Sequence, residues 1–187
     1  MRLLLLLTGI AVSGLPGAER PVMGGSTADS LTTIVLARSV LDSMNRIFTQ
    51  ANEHWDKLAD LNWMERSLGT VRPTQREYLG CLLGEVRGDT LVVDDWTPAR
   101  NMKRLMLAVT GDCSGLMRYV GTFHNHPYLA DSQNRATKQR FLAPQDLQSF
   151  EASGDLVAMV IWDPDSVDAA VRTPSGGIVR EQPVVVR

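Results

Sequence analysis

Apolar and polar residues recur along this chain with two different periods, and the changes of period divide it into elements. Thr32 to Leu36 is a short β-branched run. After it Val40, Leu41, Met44, Ile47 and Phe48 return at helical spacing, which predicts a strand followed by a helix. Two further apolar runs, Tyr78 to Val86 and Thr90 to Trp96, flank Arg87-Gly88-Asp89 and predict a hairpin. Asn101 to Thr110 fits either a strand or a helix, with Met102, Leu105, Met106 and Val109 favouring the helix. A strand starts near Met117 and is halted by Pro127, and the polar stretch Ala130 to Arg140 predicts a loop or a frayed helix. Ala143 to Asp155 reads as a helix with Pro144 in its first turn and Gly154 past its end. Leu156 to Trp162 is a buried strand, and Ser175 to Gly177 turn a final hairpin. Helices and strands alternate without the regularity of repeated βαβ units. The expected class is therefore mixed α/β, in the α+β sense, with a largely antiparallel or mixed sheet flanked by helices.

The first residues change the picture of where such a domain would work. One Arg follows the initiator, an apolar stretch runs from Leu3 to Leu15, and a Pro-Gly-Ala segment ends at Ala18 before Glu19 and Arg20. This is the layout of a secretory signal peptide over 1–18. The apolar stretch falls short of the ~20 residues that span a bilayer as a helix, so no stable membrane span is expected once it is removed. Residues 19–30, with PVMGGSTADS, read as a flexible linker, and 31–187 as one domain. The expected location is secreted or periplasmic, or cytoplasmic if the leader is a misassigned start.

Charge adds an exclusion. Lys and Arg number 19 against 21 Asp and Glu, a formal net charge of -2, so there is no broad basic field to hold nucleic acid. The four tryptophans lack the interleaved basic residues of a nucleic-acid platform. Cys81 and Cys113, the only cysteines, read either as one disulfide of an exported protein or as two buried small apolar side chains.

Two of the three histidines stand together in GTFHNHP, residues 121 to 127. Side chains alternate along a strand, so His124 and His126 present two imidazoles on one face and Asn125 lies on the other. That spacing suits a cation taking ~2.0–2.1 Å bonds from imidazole nitrogens. A catalytic zinc site adds a third protein ligand, for which Asp131 and Asp146 are the downstream candidates, and leaves a fourth position for water. His54, in NEHWDK, has no HExxH around it and reads as a helix-surface residue.

VGTFHNHP, preceded by EYLGCLLGEV and followed by LAPQDLQSF, resembles the JAMM metalloprotease motif of the JAB/MPN family. The family pattern is Glu in an E-x-x-G strand, then H-x-H-P, then S-x-x-D at the start of a helix. The similarity spans Leu31 to about Val171. The resemblance implies an MPN/JAB (cytidine-deaminase-like) architecture, zinc held by His124, His126 and Asp146, and Glu77 as the general base and acid. It further implies hydrolysis of peptide or isopeptide bonds in a peptide or protein substrate. Glu85, of the same strand parity as Glu77, is a rival base; the E-x-x-G match, Glu77 to Gly80, favours the first.

Two departures from the pattern bear on activity. Nineteen residues, Pro127 to Gln145, separate His126 from Asp146, about twice the family's commonest connection; loop closure cost grows slowly with length. The extra residues hold Arg135, Lys138 and Arg140, either substrate contacts or a solvated basic loop. Ala143 stands at the family's serine, whose hydroxyl helps hold the oxyanion, a contact whose loss can cost ~100 to 1000-fold in rate. Tyr128, Ser132 and Asn134 are the candidate replacement donors. If none serves, the alternative is a non-catalytic MPN-type protein-binding module.

Overall fold

A computed structural model describes residues 31–60, 76–104, 108–131, 135–173, 175–181 and 183–187. The expected signal peptide and linker, together with Trp63, Leu105, Met106, Ser132 and Asn134, lie outside the described residues. Among the described residues no helix is long and apolar enough to cross a membrane.

The fold begins with β1 (Thr33–Ala37) and α1 (Arg38–Asp60). The hairpin β2 (Leu79–Arg87) and β3 (Thr90–Pro98) follows, then β4 (Arg100–Arg104), β5 (Val109–Asp112) and β6 (Tyr119–Asn125). Beyond them come β7 (Leu129–Ala130), β8 (Ala136–Thr137), α2 (Pro144–Ala152), β9 (Val157–Asp163), β10 (Ser166–Arg172), β11 (Ile178–Glu181) and β12 (Val184–Val186). Eight strands make one sheet in the order β11-β10-β9-β6-β2-β3-β1-β12. Its pairings are mixed: β6–β9, β1–β3 and β1–β12 are parallel, while β2–β3, β2–β6, β9–β10 and β10–β11 are antiparallel. The class is α+β, as the pattern predicts.

The two outermost strands, β11 and β12, are joined by only residues 182 and 183. Three Cα–Cα steps of 3.8 Å bridge at most about 11 Å, so the sheet must curl until its edges nearly meet. α1 fills the concavity. Its apolar stripe, Val40, Leu41, Met44 and Phe48, is buried against Leu82, Leu91, Phe123, Met159 and Ile161 of the strands. Each such side chain contributes roughly 1.5–3 kcal/mol on burial.

Alternate residues of β9 serve different cores. Val157, Met159 and Ile161 join the α1 side, while Ala158 and Val160 pack with Leu142 and Phe150 on the α2 side. A strand covered on both faces needs an unbroken apolar run, which is why VAMVIWD shows no alternation. The site is built on the α2 face.

One expected element is corrected. The described parts of Asn101–Thr110 are strands, not a helix: β4 and β5 pair antiparallel, with Lys103 opposite Thr110 and Arg104 opposite Val109. Asn101 has a left-handed φ of 51°, which Asn tolerates and a right-handed helix does not. Met102 and Leu79 pack against a small cluster around Cys81 and Cys113, so apolar spacing here reflects a ribbon lying on the sheet. The two cysteines form a disulfide with Cα atoms 5.7 Å apart, tying β2 to the end of β5. Within the described residues after Pro127, the polar stretch carries a two-residue ladder, β7 with β8, and otherwise runs as a loop.

Candidate metal centre

β6 is the central support. Paired with β2 on one side and β9 on the other, it places Thr122 and His124, and His126 just past its end, at alternating positions facing α2. His124 and His126 are buried, and their Nε2 atoms lie 3.0 Å apart. The Nδ1 of His126 is 3.1 Å from the Gln139 carbonyl. A carbonyl only accepts, so Nδ1–H donates, and Nε2 is the nitrogen that faces the cluster.

Asp146, at the third position of α2, completes the group. Its Oδ2 stands 3.5 Å from His124 Nε2 and 3.3 Å from His126 Nε2. Three ligands bonded at about 2.0–2.1 Å in tetrahedral directions lie about 3.3 Å from one another. The observed separations of 3.0, 3.3 and 3.5 Å match that figure, and these three residues can hold a metal ion. The Ala143 N–H donates to the same Oδ2 at 2.7 Å, orienting the carboxylate. Burial pushes the Asp146 carboxyl up, but the histidine hydrogen bonds, the His124 charge and the Ala143 N–H outweigh it and hold it well below the usual carboxylate range.

The approach to α2 is anchored separately. Phe141 adopts a φ of 67°, unusual for a bulky side chain, and reverses the chain between the Gln139 carbonyl and Leu142. Strain of this kind costs about 1–3 kcal/mol. Asp168, buried in β10, accepts the Leu142 N–H at 2.9 Å, and Arg180 from β11 donates to the Leu142 carbonyl at 2.8 Å and to Asp168 at 3.1 Å. Both backbone groups of the residue preceding Ala143 are thereby fixed, and with them the start of α2.

Glu77 comes to the same place from β2. Leu79 pairs with His124, and continuing that antiparallel register by two positions sets Glu77 opposite His126 on the same face. The ladder itself stops short of Glu77. The Tyr78 N–H donates instead to the Asn125 side chain, at 2.7 Å, from the opposite face of β6. Glu77 is buried beside the histidines. Burial raises its carboxyl above the ordinary range; the charges of His124 and His126 oppose this and Asp146 adds to it. The glycine of E-x-x-G has a packing reason too, because a Cβ on Gly80 would lie 2.0 Å from Cε1 of Phe123.

The remaining expected residues are elsewhere. Glu85, near the hairpin turn, accepts from Arg87 Nε at 2.7 Å and is partly exposed. Asp131 is bonded to the Arg135 N–H at 2.8 Å and to its guanidinium at 2.7 Å. Lys138 is paired with Asp163, and Arg140 lies over the Trp162 ring at 5.4 Å, so the basic loop is committed to partners within the fold. The Tyr128 hydroxyl donates to Asp163 and does not line the cleft. His54 belongs to α1, as expected.

A cleft of about 680 Å³ opens over the cluster. Thr122, Gln145, Ser149 and Asp155 line it and were not singled out from the sequence. Thr122 was legible, since it shares the parity of His124 and His126; Asp155 was not, because only the fold turns it inward. No protein-family model matches the chain, and no curated protein matches it.

Proposed function

We propose that the protein is a zinc-dependent hydrolase of peptide or isopeptide bonds, of JAMM type and MPN-like architecture. One observation carries this reading: three ligand atoms from β6 and α2 at zinc-compatible separations, with a buried carboxyl from the neighbouring strand facing the same point. The donor set, two imidazoles and one carboxylate, fits the ion, with Nδ1 of His126 already committed to the Gln139 carbonyl.

Zinc bound here supplies a polarised water, with its pKa lowered towards ~7, and a Lewis acid for the scissile carbonyl. Glu77 takes the proton from the attacking water and delivers it to the leaving nitrogen. Its raised carboxyl suits both transfers, because a group that binds its proton more tightly than an exposed Glu is a better base near neutrality. Asp146 stays ionised, as a ligand must. The disulfide agrees with an oxidising, extracytoplasmic location, which turns the substrate class towards extracytoplasmic peptides.

Ala143 supports a second reading. No hydroxyl stands at that position and Tyr128 is engaged with Asp163, so a non-catalytic binding module remains the competitor. Elemental analysis of purified protein together with chelator-sensitive cleavage of a peptide library separates the two. The hydrolase reading expects one zinc per chain and cleavage that Glu77→Gln abolishes without loss of metal. One equivalent of zinc with no peptide cut supports the module, and no bound metal sinks both the site and its chemistry.

A further inference from the structure

The wall of the cleft carries three carboxylates, Glu77, Asp146 and Asp155, and no Lys or Arg among the described residues. A divalent ion at the histidines balances Glu77 and Asp146. Asp155 is left over. It sits beyond the C-terminus of α2, at the opposite end from the ligands, where its Oδ1 accepts the Tyr119 hydroxyl at 3.0 Å and its N–H donates to Ser153 Oγ at 3.2 Å. The nearest cation, Arg172, does not line the cleft. Its guanidinium donates to the Phe150, Ser153 and Asp155 carbonyls, where it offsets the negative end of the helix dipole. Asp155 therefore presents an oriented carboxylate in a partly dry cleft; the Arg172 charge acts on it from outside, but among the described residues no Lys or Arg forms an ion pair with it.

We infer that Asp155 is a specificity-determining residue which binds a cationic side chain, Lys or Arg, of an extended peptide whose scissile bond lies at the histidine cluster. This rests on the hydrolase reading and adds the substrate class. The distance sets the position. Along α2, Asp146 to the helix end is roughly 9 Å at 1.5 Å per residue. Along β6, Tyr119 to His124 is roughly 16 Å at 3.3 Å per residue. An extended peptide covers such a span with about three to five residues, so the basic residue belongs that far from the cleaved bond.

The test scans Lys, norleucine and Glu through each position of a fluorescent peptide set. Binding is read by anisotropy on the zinc-loaded full-length Glu77→Gln chain, and cleavage on the unaltered chain. We expect at least tenfold selection of Lys over norleucine at one position, a ratio falling to about one in Asp155→Asn, and a shift towards Glu in Asp155→Lys, with thermal unfolding confirming that both variants fold. Lys selection that survives in Asp155→Asn, or no Lys selection in the unaltered chain, overturns the inference. Lys-selective binding without any cleavage upholds Asp155 as the cation site and rejects the hydrolase reading; cleavage indifferent to Lys does the reverse.

Discussion

Glu77, two residues before β2, and Glu85, near its far end, share the same strand parity about 26 Å apart along an extended chain, and the two ends give one side chain opposite characters. At the hairpin end Glu85 is partly exposed and shares its charge with Arg87. An exposed pair of this kind contributes about 0–1 kcal/mol. At the other end the ladder gives way to the Asn125–Tyr78 bond, and Glu77 is carried under α2 beside two imidazoles. What covers the strand, not the residue type or its alternation, sets the two carboxyls apart.

The widest separation of the two ends comes from neutralising each in turn. Glu77→Gln should lower peptide cleavage by ~100 to 10,000-fold, the usual range for a lost general base, while Glu85→Gln should leave kcat/KM within about twofold. Steady-state rates on one peptide measure both, and a large loss in the second would reverse the assignment. Replacing His126 by Ala should remove zinc from the chain and abolish the rise in Tm that added zinc gives the unaltered protein. At 100-fold excess over Kd that rise corresponds to about 2.7 kcal/mol, and calorimetry with and without metal reads it. Between the two ends lies the disulfide. Closing a loop of 32 residues stabilises the fold by about 2–4 kcal/mol, so the Cys81→Ala, Cys113→Ala double variant should show that loss in denaturant titrations.

A smaller effect concerns pH. In the metal-free protein Glu77 binds its proton more tightly folded than unfolded. Between the unfolded value and the higher folded one the native state holds more protons, so stability should fall as pH rises through that window. Glu77→Gln should flatten this slope, and Glu85→Gln should not. A parallel slope in all three proteins would show that the site carboxyl does not titrate as its burial implies.

Much of this architecture could be read from residue order alone. β1, α1, the β2–β3 hairpin, α2 and β9 follow directly from period and turn chemistry, and three motif segments brought Glu77, His124, His126 and Asp146 forward together. What stayed illegible depends on contacts between distant segments. Cys81 and Cys113 have no local signature of pairing, and they meet because β5 lies on β2. The helical spacing around β4 and β5 is built from Met102 and Val109 together with Leu105 and Met106, which lie outside the described residues, and no local signal shows that the two segments pair. Asp168 looks like an ordinary polar residue in an apolar strand until the Leu142 backbone is found against it. Asp146 is preferred to Asp131 from the helix start at Pro144, and the structure adds that Arg135 holds Asp131.

The parallel pairing of β12 with β1 has a consequence for how the protein comes into being. Val35 acquires its outer neighbour only when Val184 has been synthesised and brought back across the molecule. Until then the β1 edge is open, with its backbone donors and acceptors unmatched on that side. Completion of the sheet is therefore a late step, dominated by contacts between remote parts of the chain and correspondingly slow.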